Sequence, residues 1–459
     1  MRGLPIIVLV PMLLASCGHA PPRTPPPDPA QLAQDYQQRR LDHLPGLPEA
    51  PQDWDRAQWL QAALRLNPGI AQTRAQVNIA LAGERSAAQR ANPELNLSAG
   101  YIHGSALELA GQASGWLYGV ALDLLLPRRG ERQRAIAQAQ LRTRIAQSAL
   151  MDAVWQLRSS LREALLALRY SEDALRESAA LLESEQTLLR ATQRRVRAGD
   201  LAPSEVPATE QALRQREQQH ADLQLQAQQA RLNLAALLGV PPAALEGIAP
   251  RWDDWQRITD LPAENLSTQR QQALLTRADV LQALLQCELR ELQLQDELAR
   301  RWPDLRLSPA LGWDRDSQEY ALGLGLPLPL MNRNEGAIAQ AQAEREAAAQ
   351  ALLATQARVL DEMAQAETRW QQTREQWQRA EQGAALAQRQ QQRAQRALEL
   401  GASERGLLLH AQQALHEATL QALAAARAAQ QAYAQLESAY RRPLQGPEQT
   451  LVPWPETAT

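Results

Sequence analysis

The stretch Trp116-Leu117-Tyr118-Gly119-Val120-Ala121-Leu122-Asp123-Leu124 decides the fold, because large apolar side chains alternate in it with mostly small or polar ones. A period of two residues predicts a β-strand with one apolar face and one small or polar face. Three further runs share this pattern, at 95–101, 305–313 and 320–326. Aromatic side chains mark the ends of the runs, at Tyr101, Trp116, Tyr118, Trp302, Trp313 and Tyr320.

This alternation is typical of strands that cross a membrane, with lipid on one side, a lumen on the other and aromatic residues at the interfaces. The alternative is an amphipathic hairpin that covers a soluble core, which a single run does not exclude. Four strands cannot close a barrel, and lipid does not tolerate open sheet edges. Membrane strands would therefore require several copies of the chain. Three copies would supply twelve strands around an open lumen, although the pattern itself does not fix that number.

The chain also contains an internal duplication. Matching segments are 93–98 with 303–308, 136–140 with 338–342, and 211–213 with 413–415. The second copy is shorter between residues 308 and 320, and a length change confined to one place marks a surface loop. Each unit reads as helix, strand, loop, strand, long helix, turn and helix. The predicted division is a first repeat at 53–250, a linker at 251–265, a second repeat at 266–443 and a tail at 444–459.

The helices of each unit are rich in Ala and Leu. The first helix spans about 56–90, with a break at 67–69, and its counterpart spans about 266–301. No Gly or Pro occurs between Glu131 and Ala198, so one helix there could extend for roughly 100 Å. Its apolar residues alternate spacings of three and four, which is coiled-coil geometry. They are Val154, Leu157, Leu161, Ala164 and Leu168.

The N-terminus is typical of an exported protein. Residues 1–16 combine Arg2, an apolar stretch and small residues, which predicts a secretory signal peptide. The signal ends at Cys17 in a pattern that resembles the bacterial lipobox, where this Cys becomes lipid-modified; the alternative is a plain signal peptide with an incidental Cys. That resemblance, with Gly18 following, implies export to the outer membrane. Residues 17–52 are then the lipidated N-terminus and a Pro-rich tether.

These features together resemble the TolC-like outer membrane factors. The matching segments are 63–68, the strand entry at Pro93, 326–336, and both Gly turns, with 409–412 after the second. The resemblance implies a homotrimer in which a twelve-stranded β-barrel stands on an α-helical tunnel across the periplasm. It also implies two partners, a periplasmic adaptor (membrane fusion) protein and an inner-membrane pump, the latter of the RND type. Segment 326–336 is most similar to the heavy-metal cation efflux branch.

The same resemblance assigns a role to the two helix–turn–helix tips. In the family these tips meet the adaptor and close the resting tunnel, and here they correspond to Gly199-Asp200 and Gly401-Ala402. Many relatives carry an acidic ring just after the second turn, but this chain has Leu407 and His410 there, and Glu404 is the nearest acid. His410 could titrate near neutral pH, or it could simply be a packed or solvated side chain.

Composition excludes several other classes of protein. A mean hydropathy of −0.43 argues against a multi-span helical membrane protein, and a net charge of −3 gives no global basic footprint for nucleic acid. Cys287 aligns with Val77, which indicates a packing position. The His, Cys and acidic residues show no metal-ligand spacing, and no nucleophile–base signature is present. We therefore expect no enzyme activity and no cofactor apart from a covalent lipid on Cys17.

The sequence thus predicts a mainly α protein with a small β part, built from a duplicated unit. Its predicted function is that of an outer-membrane exit duct of a tripartite efflux pump, which conducts metal cations or drugs passively. Two alternatives remain open: a duct for type I secretion of proteins or peptides, and a periplasmic coiled-coil adaptor or structural lipoprotein. An adaptor would instead show a small Gly-rich β domain beside one helical hairpin.

Overall fold

A computed structural model describes residues 25–41, 44, 52–102, 115–252, 266–314 and 317–444. The predicted signal peptide, Cys17, most of the linker 251–265 and most of the tail 444–459 lie outside these residues. So do the connections 103–114 and 315–316, where the length difference between the two copies was predicted.

The described chain is mostly helical with a small sheet part, as predicted. The first half contains α1 (Pro29–Gln37), β1 (Gln52–Trp54), α2 (Arg56–Leu66), α3 (Pro68–Ala87), β2 (Glu94–Ile102), β3 (Gly115–Leu126), α4 (Glu131–Ala198), α5 (Glu205–Leu238) and β4 (Ile248–Pro250). The second half contains α6 (Leu266–Thr276), α7 (Ala278–Ala299), β5 (Leu305–Asp314), β6 (Ser317–Gly325), α8 (Glu335–Glu399) and α9 (Arg405–Tyr440).

Helix α4 is the longest element, with 68 residues. It begins after Gly130 and ends at Gly199, and both glycines have a positive φ that side-chain-bearing residues rarely adopt. At 1.5 Å per residue the helix is roughly 100 Å long. The predicted seam residues Leu157, Leu161 and Leu168 are buried in its contact with neighbouring helices. The absence of Gly and Pro therefore specified both the length and the ends of this helix.

Helix α4 also joins the two halves, because it contacts α5 of its own half and α9 of the other. Helix α8 packs against α9 and α7. Two apolar cores lie near the C-terminal ends of α5 and α9. The first contains Trp54, Trp59, Leu161, Leu234 and Leu238, and the second contains Val359, Met363, Trp370, Tyr433 and Leu436. No helix in the described ranges has an apolar stretch long enough to cross a membrane.

The described part of the N-terminal segment 17–52, which was expected to act as a tether, contains a helix. Residues 29–37 form α1, which starts with a proline after the capping residue Asp28. The hydroxyl of Tyr36 donates to the Val240 carbonyl (2.9 Å), and Arg39 donates to the Gly239 carbonyl (2.9 Å). These contacts fasten the segment to the C-terminal end of α5. They join residues that are distant in sequence, so local composition did not reveal them.

A short parallel pairing of β1 with β4 also escaped prediction. It joins Gln52 to Ile248 and carries Trp54 into the first core, where the Trp54 ring meets Trp59 edge-on at 5.1 Å between centroids. Strands of three residues are too short to show a period of two. The sequence therefore did not predict these two strands, which are recognised only by their pairing in the tertiary structure.

The first helix of each half is broken at equivalent positions. In the first half Asn67 separates α2 from α3, and its side-chain amide donates to the Leu237 carbonyl (2.7 Å). In the second half Arg277 separates α6 from α7 and donates to the Ala439 carbonyl (2.6 Å). The prediction of a single helix at 266–301 was therefore wrong. Arg277 thus makes the same kind of contact as Asn67, although the two side chains differ. For this reason a search for Asn, Pro or Gly did not reveal the second break.

Arg277 is also the centre of an ionic cluster that has no counterpart in the first half. It is buried and pairs with Asp279 (2.7 Å) and with Glu362 (2.9 Å). Burial alone would raise the pKa of Asp279, but the ion pair with Arg277 outweighs it and lowers the pKa to about 2. The first copy has Asn67, Gly69 and Ser160 at the three positions. The two copies thus share a broken helix but differ in charge at these positions.

The C-terminal caps of α5 and α9 also differ in charge, because the second half has an arginine where the first has a glycine. Gly239 has φ of +75°, and a Cβ there would lie 2.8 Å from the Leu66 carbonyl oxygen. Its counterpart Arg441 adopts φ of +48° with a full side chain, which reaches Asp152 on α4 (3.0 Å). The first half therefore requires glycine for a close approach of two backbones. The second half instead has a salt bridge to the other repeat.

We expect Gly239→Ala to destabilise the protein by about 2 kcal/mol, because it adds a steric clash to the cost of a left-handed alanine. Gly199→Ala is the matched control, since Gly199 has φ of +84° with nothing within 4 Å of the added methyl group. The midpoint of chemical unfolding, followed by circular dichroism, should fall further for Gly239→Ala. Equal shifts in the two variants would contradict the close approach.

One fully buried ionic group fastens α4 to α9. The Glu437 carboxylate accepts hydrogen bonds from Arg158 (2.9 Å) and Arg162 on α4, and from the backbone N–H of Leu444 (2.8 Å). The guanidinium groups of Arg158 and Arg162 also stack over the rings of Trp155 and Tyr433, at 4.9 and 5.1 Å. Burial alone would raise the pKa of Glu437, but the two arginines hold it below 4.5.

Candidate functional site

The four long strands form one antiparallel sheet in the order β2-β3-β5-β6. Its register aligns the apolar positions of all four strands on one face. One complete row consists of Leu97, Val120, Leu311 and Tyr320. Leu97 is 57% exposed, and Leu322 and Leu324 are 70% and 66% exposed. Within the described residues this face covers no apolar core, in contrast to an amphipathic hairpin over a soluble core.

The aromatic residues cluster at one end of this apolar face. The rings of Tyr101 and Trp116 lie 5.2 Å apart, and those of Trp116 and Tyr118 lie 6.3 Å apart. Trp313 pairs with Tyr118 across β3 and β5, and Tyr320 lies one row further into the sheet. Trp302 lies alone at the opposite end, before β5. The structure thus separates the six predicted aromatics into a group of five and a single residue.

The opposite face of the sheet is mostly small and polar, with Leu117 and Leu125 as exceptions. Asp123 accepts hydrogen bonds from Asn96 (2.5 Å) and from Ser308 on β5. Across from Ser98 stands Gly119, where an added Cβ would lie 2.5 Å from the Ser98 hydroxyl. Polar side chains on this face therefore bond to one another across the strands. Such a face suits contact with water.

The two helix tips lie far from the sheet along the chain and share one geometry. Gly199 and Gly401 have φ of +84° and +70°, and the following N–H groups bond back to Arg195 and Ala397. This is the left-handed cap that reverses a helix. Arg195 of the first tip lies 3.8 Å from Glu404 of the second, so the two turns are neighbours. Asp200, Ala402 and His410 are exposed.

Two histidines that the sequence did not single out contact α4. His416 on α9 lies 2.6 Å from Glu177, and His220 on α5 lies 2.8 Å from the Ser178 hydroxyl. Near them Arg216 on α5 pairs with Glu417 of α9. These pairs make a polar band where α4 meets helices of both halves. His410, which was predicted to lie at the second tip, is exposed and is not one of the histidines in this band.

The remaining candidate groups for chemistry are isolated. Cys287 is half-buried, its thiol donates to the Ala348 carbonyl (3.2 Å), and burial raises its pKa. Across the part of the chain that the structure describes, no group of His, Cys, Asp and Glu side chains could hold a metal ion. The distinctive surfaces of the molecule are thus the exposed apolar sheet face and the paired helix tips.

Comparison with known proteins identifies the fold. The family model named Outer membrane efflux protein matches residues 59–240 and 270–440. The chain belongs to this family. The two matched segments fall one in each half of the structure, and the resemblance to TolC-like outer membrane factors is confirmed. Outer membrane efflux proteins are channels rather than enzymes. No functionally curated protein matches this chain.

Solved structures agree with the family. The outer membrane protein VceC of Vibrio cholerae is 20% identical, with a TM-score of 0.68 over 84% of this chain and 95% of that chain. CusC, a protein that forms a transmembrane channel, is 18% identical, with a TM-score of 0.68. The match covers 92% of this chain and 99% of that chain. The CmeC outer membrane channel of Campylobacter jejuni is 15% identical, with a TM-score of 0.67 over 92% and 94%. At these identities the likeness establishes the fold of this outer membrane efflux protein.

Proposed function

We propose that this outer membrane efflux protein is a homotrimeric exit duct, and that it conducts substrate passively across the periplasm and the outer membrane. The observation that carries the proposal is the exposed apolar face of the four-stranded sheet. In water such a face would be an aggregation hazard. In lipid the same face is the stable surface of a transmembrane strand.

The sheet edges support assembly from several copies. β2 and β6 are the edge strands of the described sheet, and in an antiparallel sheet of four strands they run in opposite directions. β6 of one copy can therefore pair antiparallel with β2 of the next, and a closed ring leaves no unpaired backbone in lipid. Three copies give twelve strands, with the small polar face turned to a lumen. We place Tyr101, Trp116, Tyr118, Trp313 and Tyr320 at one membrane interface and Trp302 at the other.

The long helices support a tunnel below the sheet. Leucines on two long helices are largely exposed among the described residues: Leu225 of α5 is 54% exposed and Leu353 of α8 is 58% exposed. A neighbouring copy would bury them by packing its α8 against α5. At roughly 100 Å, the helices are long enough to reach well into the periplasm. A tunnel of this kind supplies a water-filled path and makes no bonds.

We further propose that the tips at Gly199-Asp200 and Gly401-Ala402, with Glu404 and His410, meet a periplasmic adaptor that belongs to an RND-type inner-membrane pump. The exposure of these residues and the pairing of Arg195 with Glu404 support a contact surface made by both repeats. Metal cations and drugs are the proposed substrate classes. Acylation of Cys17 would add a lipid anchor to the barrel.

The proposal is tested by purifying the full-length protein from membranes. We expect detergent to be required for extraction, and light scattering to give three copies in each particle. In planar bilayers the same particle should conduct ions. Cys17→Ala should lose its acyl chains and remain a membrane-embedded trimer, because the barrel alone holds the membrane. A Cys17→Ala protein that is monomeric and stays soluble without detergent would overturn the assignment.

A separate prediction concerns the second tip. Gly401→Val places a β-branched residue at φ of +70°, which costs about 1–2 kcal/mol and disturbs the turn. We expect trimers to assemble and substrate export to fall. Gly383→Val, in the middle of α8 with nothing within 4 Å of the added Cβ, is the control and should keep export near normal. Normal export in Gly401→Val would count against the role of this turn.

A further inference from the structure

The apolar surface of the sheet does not stop where β6 stops. After Gly325 the chain runs through Leu326-Pro327-Leu328-Pro329-Leu330-Met331 before α8 begins at Glu335. Its apolar side chains project outwards, with Leu330 78% and Met331 fully exposed. Since Arg306 at the start of β5 pairs with Gly325, Trp302 lies at this same end of the sheet, and it is 76% exposed.

Five large apolar residues thus form a projecting surface that we call the ledge, defined as Trp302, Leu326, Leu328, Leu330 and Met331. We propose that the ledge inserts into the boundary between headgroups and acyl chains of a phospholipid leaflet. The inference rests on the proposed function, because it requires the apolar sheet face to lie in lipid. It goes further by extending lipid contact beyond the strands, onto a segment without regular structure.

The composition of the ledge suits this boundary. Tryptophan is enriched where membrane meets water, because its ring is apolar and its N–H can bond to water or headgroups. Arg301 and Arg333 stand beside the ledge in sequence and are exposed. Arginines beside apolar residues favour anionic headgroups, since the charged end can reach phosphate while the apolar part stays in lipid.

The backbone of the segment argues against a second copy as the main occupant. Pro327 and Pro329 lack N–H groups and stand two residues apart, so they remove donors from one side of the extended chain. Strand pairing with a neighbouring copy therefore ends near Gly325. The leucines and Met331 beyond this point remain exposed beside an apolar sheet face. Lipid is the occupant that is continuous with that face.

The test uses full-length trimer with Cys287→Ser and one added cysteine at a time. Met331→Cys reports on the ledge, Leu324→Cys on the sheet face, and Glu246→Cys on an exposed turn remote from the sheet. The parent with Cys287→Ser alone corrects for labelling at Cys17. Each cysteine carries an environment-sensitive fluorophore in vesicles of phosphatidylethanolamine and phosphatidylglycerol. Quenchers are lipids spin-labelled near the headgroup or deep in the acyl chain, and aqueous iodide.

We expect the label at 331 to be quenched at least twofold more by shallow spin-labelled lipid than by deep lipid or iodide. The label at 324 should respond to deep lipid, and the label at 246 to iodide alone. Iodide quenching at 331, or shielding from every quencher as a neighbouring copy would produce, overturns the ledge while lipid quenching at 324 upholds the proposed function. Absence of lipid quenching at 324 overturns both.

A second variant addresses the charges. In the Met331→Cys protein, Arg301→Gln with Arg333→Gln should lower quenching by the shallow lipid in vesicles that contain phosphatidylglycerol. In vesicles of phosphatidylcholine alone the same change should have little effect. An equal effect in both kinds of vesicle would show that Arg301 and Arg333 do not act through anionic headgroups.

Discussion

Glu437→Gln should lower the free energy of unfolding by about 3–5 kcal/mol, the largest effect expected of any single substitution here. The carboxylate is fully buried and is shared by Arg158 and Arg162. Glutamine keeps the size of the side chain but removes the negative charge, so two buried guanidinium groups lose their counter-ion. Chemical unfolding in detergent, followed by circular dichroism, measures the change.

The effect has a definite pH dependence. The pKa of Glu437 is lower in the folded protein than its ordinary value of 4.5. Its ionised form therefore stabilises the fold fully above about pH 4.5, and this contribution is lost as pH falls through the lowered pKa. The stability difference between the wild type and Glu437→Gln should be constant from pH 7 to about 5 and should shrink in more acidic buffer. A gap that widens with acid would contradict the ion-pair account.

Glu417→Gln is the matched control. Glu417 also pairs with an arginine from another helix, Arg216, but its side chain is 45% exposed. Water screens such a pair, so the expected loss is below about 1 kcal/mol. Similar losses in Glu417→Gln and Glu437→Gln would show that burial does not set the cost.

Leu322→Arg should prevent stable insertion of the duct. Leu322 lies near the middle of β6 on the apolar face and is 70% exposed in the single chain. An arginine on the lipid face costs about 2–4 kcal/mol at the centre of a bilayer, and each copy of a trimer would carry one. Since each 1.4 kcal/mol is tenfold, we expect the amount of membrane-embedded trimer to fall by about tenfold or more. Quantitative blotting of outer-membrane fractions measures it.

The neighbouring residue supplies the control. Ala321 pairs with Ala310 and lies on the opposite, small face of the sheet. An arginine at 321 would project into water in the proposed lumen, so Ala321→Arg should assemble normally and alter only ion conductance. Assembly defects of equal size in both variants would argue against a sheet with lipid on one side and water on the other.

Several features of the fold could be predicted from the sequence, because their cause is local. The alternation in β3 shows a strand with two unlike faces, since successive side chains point to opposite sides. The uninterrupted run from Glu131 to Ala198 shows a helix whose ends are set by Gly130 and Gly199. The matching sequence segments showed that the unit of helices and strands occurs twice. The two unlike faces of the sheet follow from these patterns, whereas the exposure of the apolar face, the basis of the proposed function, is seen only in the structure.

Other features were decided only by the tertiary structure. The cluster of Arg158, Arg162 and Glu437 joins residues from the two repeats, and no local pattern announces a contact between such distant positions. The break at Arg277 exists because its side chain reaches the Ala439 carbonyl, a reason that residue type alone does not reveal. Local periodicity thus determined which elements form and which faces they present. Long-range packing determined where charges are buried, because the free energy of a buried charge depends on its partners in space.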